Sequence, residues 1–284
     1  GAIEFYEVAK KAGIKPIIGE EFYVTNDYKS RKQNDPRYHL IILAKNLEGY
    51  KNLIKLTSIA NVDGFYYKPR IDFELLKQYH NGLICSTACM QGQIPQLILN
   101  KNEEELDFVI NSYIDLFGKD NFFFELQNLP TSSEQKIINE KLKELSKKYG
   151  VKCIATSDSH YLRPEDAEIQ DILVCIQTKQ LLSETNRLSM KEFDLSFKSE
   201  QYMLEAFKDY QEAVYNTQII ADSCNLELEM GVPKLPHYPL PEGITAEQEM
   251  RRLAKKYCPK KYGKEFDELE DEYKNRFEYE MSVI

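Results

Sequence analysis

Residues 134–161 read EQKIINEKLKELSKKYGVKCIATSDSHY, a helical pattern that turns into one apolar strand. The helix is predicted over Glu134–Tyr149. Thr131 and Glu134 stand at capping-box spacing, Lys147 and Lys148 sit at the C-terminal end, and Gly150 supplies the stop. The strand over Lys152–Thr156 runs directly into Asp158 and His160. In an extended segment side chains alternate with a period of two, so these two project to the same side. A carboxylate beside an imidazole at a strand's end suits a hard or borderline divalent cation. A turn-forming Asp followed by a surface His is the competing reading of the pair taken alone.

Upstream, the same rhythm repeats. A helix over Glu103–Phe117 and a strand over Asn121–Leu126 come first, and before them Gly82–Cys89 is a strand running into a turn of small residues. Strand-helix alternation argues for an α/β layer or barrel, whose chemistry gathers at the C-terminal strand ends. Cys89 stands just past its strand, as Asp158 and His160 do past theirs, and Glu125 is a carboxylate late in its own strand. A buried structural thiol is the commoner role for a lone Cys.

The first part of the chain adds a second carboxylate and imidazole. Residues 2–12 carry Ile3, Phe5, Tyr6, Ala9 and Ala12 at helical spacing, with Gly13 as cap. A strand is expected from Pro16 to Val24, with Glu20 and Glu21 in its middle, and a second over His39–Ala44. The polar stretch between them lacks helical periodicity, and a parallel return needs a crossover helix. The two strands are therefore read as an antiparallel hairpin that brings His39 near Glu21. Helices follow over Leu47–Ala60, with Leu47, Tyr50, Leu53, Ile54, Leu56 and Ile59 as the apolar set, and over Asp72–Gln78. Between them, Phe65–Arg70 is an aromatic loop with two basic residues, suited either to stacking bases and holding phosphates or to packing under a barrel rim.

After Tyr161 the character changes. Arg163–Asp166 opens a helix whose apolar face is Ile169, Ile172, Leu173 and Ile176, and a polar connection over Thr178–Phe197 leads to helices over Ser199–Phe207 and Tyr210–Cys224. Three prolines in Leu235–Pro241 mark a linker, and Thr245 with Gln248 forms a second capping box. The expected organisation is a domain over 1–230, a linker over 231–244, and the start of a further region over 245–284.

A net charge of −9 over 284 residues argues against the chain as a main electrostatic platform for nucleic acid. The six cysteines form no CxxC pair, which leaves a zinc ribbon or dithiol motif without support. With no signal peptide and no apolar run of spanning length, free thiols in a cytoplasmic, membrane-free setting are expected. Gly1 opens on a helical pattern and Ile284 falls inside one, as in a piece of a longer chain.

The ordered set Gly19–Val24, Tyr38–Asn46, Glu48–Leu53, Gly82–Gly92 and Ala155–Leu162 resembles the polymerase-and-histidinol-phosphatase (PHP) domain of bacterial replicative DNA polymerases of the DNA polymerase III alpha subunit family. Asn186-Arg187, Tyr215–Thr217 with Ile220-Ala221, and Phe277–Ile284 extend the likeness over nearly the whole chain. The resemblance implies an α/β fold, a distorted seven-stranded β/α (TIM-like) barrel lacking its first two strands, followed by a helical connection and the beginning of the palm and thumb region. It places Glu21, His39, Cys89, Asp158 and His160 at family metal-binding positions, for Zn, Mn or Mg. Glu20 departs from the small thiol residue often found there, which implies a changed charge near the site.

It further implies a DNA-directed DNA polymerase as parent chain, using Mg for nucleotidyl transfer. DNA and deoxynucleoside triphosphates would be its substrates, and a proofreading exonuclease subunit, a sliding clamp and other replicase subunits its partners. The PHP module itself would be a metal-dependent 3'-5' exonuclease or phosphoesterase, or a scaffold for the proofreading subunit. No general base and no substrate-binding residue is assigned. A stand-alone PHP phosphoesterase and a purely structural interaction module are the alternatives.

Overall fold

Phe122-Phe123-Phe124-Glu125-Leu126-Gln127 is buried along its whole length and forms β5 (Phe122–Gln127) inside a sheet rather than at its edge. The computed structural model describes residues 1–233 and 235–284. Lys234, within the expected linker 231–244, lies outside the described residues. The described residues divide into two compact units, Gly1–Leu228 and Glu229–Ile284.

The first unit carries α1 (Ala2–Lys11), β1 (Gly19–Thr25), β2 (Tyr38–Ala44), α2 (Leu47–Val62), β3 (Arg70–Asp72), α3 (Phe73–Tyr79), β4 (Leu83–Ser86), α4 (Gln93–Leu99) and α5 (Glu103–Phe117). After β5 come α6 (Ser133–Tyr149), β6 (Cys153–Thr156), α7 (Ala167–Thr178), α8 (Glu200–Ala206) and α9 (Glu212–Ser223). The strands form one six-stranded sheet, β3-β1-β2-β4-β5-β6. β2 runs antiparallel to β1, as the hairpin argument requires, and also to β4, and the remaining pairs are parallel. This is a mixed α/β architecture.

Alternation along the strands sorts the two faces. Phe22, Val24, Leu40, Ile42, Cys85, Phe122, Phe124, Leu126 and Ala155 join the main core with the helices. Each fully buried Phe contributes on the order of 1.5–3 kcal/mol. On the other face Ile84, Phe123 and Ile154 pack with Ile220 of α9 and with Cys224 just past its end. That second cluster uses residues early in β4, β5 and β6. Further along the same strands this face turns polar, with Ser86, Glu125 and Thr156.

Several local expectations need correction. β1 begins at Gly19, not Pro16. α2 buries Gly49, Leu53, Leu56 and Ala60, while Leu47 and Ile54 are exposed. The reason is close contact: a Cβ on Gly49 would lie 1.9 Å from the Gly82 carbonyl oxygen, so that face of the helix lies against the chain before β4. The cap of α6 is Ser132, whose hydroxyl accepts from the Gln135 amide, because Ser132 and Gln135 offer the same spacing as Thr131 and Glu134 one residue on. Gly150 ends that helix in the left-handed region, at φ 68°.

The aromatic loop also resolves. Arg70 is buried in β3, a strand too short to show periodicity, and donates to the carbonyls of Gly64, Tyr28 and Ser30. Its guanidinium also lies 4.0 Å from the Asp35 carboxylate and over the Tyr66 ring. Phe65 and Tyr67 are exposed, and Lys68 sits over the Tyr23 ring, 5.6 Å from its centroid.

The second unit consists of α10 (Ala246–Tyr262) and α11 (Asp271–Val283). Thr245 and Gln248 cap α10 reciprocally, as their spacing foretells, and Gly263 closes it in the left-handed region. Cys258, Leu269 and Met281 are its buried apolar residues. Among the described residues no helix is long and apolar enough to cross a membrane.

Candidate metal centre

Glu21 and His39 reach one another because β1 and β2 are antiparallel and register Tyr23 opposite His39. Glu21 is then the diagonal neighbour on the same face. The His39 Nδ1 lies 2.5 Å from Glu21 Oε1 and 3.3 Å from Cys89 Sγ. Donor atoms of all three residues lie within 4.8 Å of one another. The Tyr23 ring meets the imidazole edge-on at 5.1 Å and limits its rotation.

Cys89 is delivered by the turn after β4. Ala88 leaves the strand in the left-handed region, at φ 57°, and the turn closes with the Gly92 amide on the Cys89 carbonyl at 2.8 Å. The His39 amide donates to Gln91 at 3.1 Å, so the same turn is stitched to β2. Gly92 is required there, since a Cβ would fall 2.1 Å from the Thr87 carbonyl oxygen.

Asp158 also adopts the left-handed region, at φ 48°. The expectation of an extended segment through Asp158 and His160 is therefore corrected: β6 ends at Thr156 and the backbone turns. Asp tolerates this conformation better than most residues, at a cost of about 1–3 kcal/mol that the surroundings must hold in place. The His160 Nδ1 lies 2.7 Å from the Asp158 carbonyl oxygen, and the His160 amide donates to Leu195 at 2.9 Å. Asp158 and His160 fall outside the 4.8 Å cluster. They remain within its electrostatic reach, because His160 acts on Glu21, and both Glu21 and His39 act on Asp158.

Charge in the centre follows from these contacts. The bond to Cys89 foremost, then that to Glu21, raises the His39 imidazole to about 10. The hydrogen bond from His39 holds Glu21 below the usual carboxylate range against the opposing effect of burial. Burial pushes Asp158 up. Glu20 takes no part: it lies on the other face of β1 and accepts from the Thr57 hydroxyl of α2, so its carboxylate faces a helix rather than the centre.

Three donor groups thus converge, two of them on one imidazole nitrogen, whose single proton can serve only one acceptor well. A carboxylate oxygen, an imidazole nitrogen and a thiolate together make a set that a borderline divalent cation satisfies at once. Glu125, the carboxylate late in its strand, lies within reach of Asp158. Glu125 is buried, and its carboxylate accepts from Ser86 Oγ at 2.6 Å, Thr156 Oγ1 at 2.7 Å and Gln127 Nε2 at 3.4 Å. Burial raises it above the ordinary carboxylate range, against those three bonds.

A PHP domain model matches residues 1–129, which include Glu21, His39 and Cys89. Over those residues the chain is similar to the PHP domain family. Domains of this family bind metal ions, in keeping with the donor set. Over its full length the chain is 44% identical to the DNA polymerase III subunit alpha of Borreliella burgdorferi and 39% identical to that of Treponema pallidum, covering 25% and 24% of those proteins. The corresponding subunit of Thermus aquaticus is 41% identical over 89% of this chain and 22% of its own length. The chain spans about a quarter of the length of the curated relatives it matches. Asp158 and His160 lie beyond the matched PHP residues but within the similarity to the first two relatives.

Proposed function

We propose that this chain is the PHP-containing part of a replicative DNA polymerase of the alpha-subunit type, and that its strand-end rim holds divalent metal through Glu21, His39 and Cys89, with Asp158 and His160 adding ligands. The observation that carries the reading is the convergence of a carboxylate from within β1, an imidazole from the start of β2 and a thiol from the turn after β4, in a chain similar to such subunits from end to end. The six-stranded sheet is read as the greater part of a distorted seven-stranded barrel, with the rim as its mouth.

A metal ion bound there, Zn, Mn or Mg, would polarise a phosphodiester and lower the pKa of water. The protein's own part is to fix the ligands. The tether of the Cys89 turn to β2 holds the thiol against His39, and Tyr23 limits rotation of the imidazole. The proposed substrate of the rim is a DNA 3' end or a smaller phosphate ester. DNA, deoxynucleoside triphosphates, the proofreading subunit and the sliding clamp are the proposed partners of the parent polymerase, in the cytoplasm.

Equilibrium dialysis of the full-length protein against Zn2+ and Mn2+ tests the metal. At least one ion retained per chain is expected, and no stoichiometric metal overturns the reading. Release of mononucleotides from the 3' end of labelled DNA, abolished by a chelator, would separate an active phosphodiesterase from a scaffold.

A further inference from the structure

Two ligand-bearing turns leave the sheet in the same way. Ser86 ends β4, Thr87 follows, Ala88 turns left-handed, and Cys89 comes next; Thr156 ends β6, Ser157 follows, and Asp158 turns left-handed. Between them runs β5, and from its polar face a single carboxylate binds the last residue of each flanking strand. Glu125 Oε2 accepts from Ser86 Oγ at 2.6 Å and Oε1 from Thr156 Oγ1 at 2.7 Å. The Glu125 amide donates to Thr87 Oγ1 at 2.9 Å, and the Thr87 amide donates to the Phe123 carbonyl at 3.2 Å.

We infer that Glu125 is a positioning residue for the metal centre: it clamps the ends of β4 and β6 and so fixes the departure points of the Cys89 and Asp158 turns. This rests on the metal reading above. The geometry favours such a role over simple filling of the core. A buried carboxylate costs folding free energy, and an apolar residue satisfied by Phe123 and Ile154 would pack this face more cheaply. What an apolar residue lacks is two acceptors aimed at different strands. A non-glycine left-handed turn persists only where its surroundings over-determine it. Here the over-determination begins one hydrogen bond upstream of each turn.

The test uses full-length protein, with Zn2+ affinity measured by calorimetry and Co2+ as a spectroscopic probe of the Cys89 thiolate. Glu125→Leu is expected to weaken Zn2+ binding at least about tenfold, in the range found for residues that orient metal ligands. Glu125→Gln, which keeps an acceptor, is expected to recover part of that loss. Ser86→Ala should shift or weaken the thiolate-to-Co2+ charge-transfer band, and Thr156→Val should weaken affinity with that band in place. A purely structural role would lower the melting temperature of these variants while affinity and spectrum stay within about twofold of wild type, and that result overturns the inference. If Glu125→Leu does not fold, Ser86→Ala and Thr156→Val decide by the same criterion, since both retain the carboxylate. Wild-type protein that takes up neither ion removes the metal reading and this inference with it, whereas wild-type uptake with unchanged variants removes the inference alone.

Discussion

Glu21 and His39 meet at 2.5 Å across the β1–β2 pair although they are not register partners, Tyr23 being the residue opposite His39. The contact exists because residues two apart on β1 share a face, so a diagonal pair can close where the direct one is occupied by an aromatic ring. The same alternation places Glu20 on the opposite face, against Thr57. Glu21→Gln, His39→Ala and Cys89→Ala should each weaken Zn2+ binding at least about tenfold, and Glu20→Gln should leave it unchanged. Competition with a chromophoric chelator measures all four. Equal loss in Glu20→Gln would show that bulk negative charge, not this donor set, attracts the ion.

Gly92 links stability to the centre. An alanine there would set its Cβ 2.1 Å from the Thr87 carbonyl oxygen and 3.2 Å from both the Cys89 carbonyl oxygen and Pro95 Cδ. The nearest of these is backbone and cannot swing aside. Gly92→Ala is expected to cost about 1–3 kcal/mol in urea unfolding and to weaken metal binding as well, because the turn it displaces carries Cys89. Full metal affinity in a destabilised protein would separate the turn from the centre.

Much of this fold was legible because local pattern and tertiary demand agree. The helix over Glu103–Phe117 appears with those bounds, and Thr245 with Gln248 caps α10 as its spacing foretells. The hairpin and the meeting of Glu21 with His39 followed from the lack of a crossover between two strands. Other features have no local signature. β3 has three residues, one of them a buried arginine whose partners are the carbonyl of Gly64 and, from the β1–β2 connection, those of Tyr28 and Ser30. Glu125 reads as an anomaly in an apolar strand until Ser86 and Thr156 are seen on either side of it. At Asp158 the period-two argument fails because the strand ends two residues earlier, and no hydrophobic pattern reports a single left-handed residue.

Helix α7 shows why periodicity finds a face without finding what covers it. Ile169, Ile172, Leu173 and Ile176 form the apolar stripe, yet all four are exposed, from 44% to 69%, while Asp171, Val174 and Cys175 are buried. Ile169→Lys and Ile176→Lys should therefore change the unfolding free energy of this chain by no more than about 0.5 kcal/mol. Val174→Ala should cost about 2 kcal/mol through lost burial and the cavity left behind. A large loss in the lysine variants would mean that the stripe is covered in solution.

Asp171 is buried because Arg187 closes on it with both terminal nitrogens, at 2.7 and 2.6 Å, and Ser189 donates a third bond at 2.8 Å. The guanidinium foremost holds the carboxyl at about 2, below the unfolded value of about 3.9. With the folded pKa depressed, the pair's contribution to stability is fully present above the unfolded value and is lost as pH falls from about 4 towards 2. Arg187 stays charged throughout, so only the carboxylate titrates. Asp171→Asn should be less stable than wild type at pH 7, and the gap should narrow on acidification through that window, because the wild type loses what the variant never had. Urea midpoints at pH 7, 4 and 2.5 measure it. A gap that holds constant down to pH 2.5 would mean that the Asp171 carboxylate is not what Arg187 stabilises.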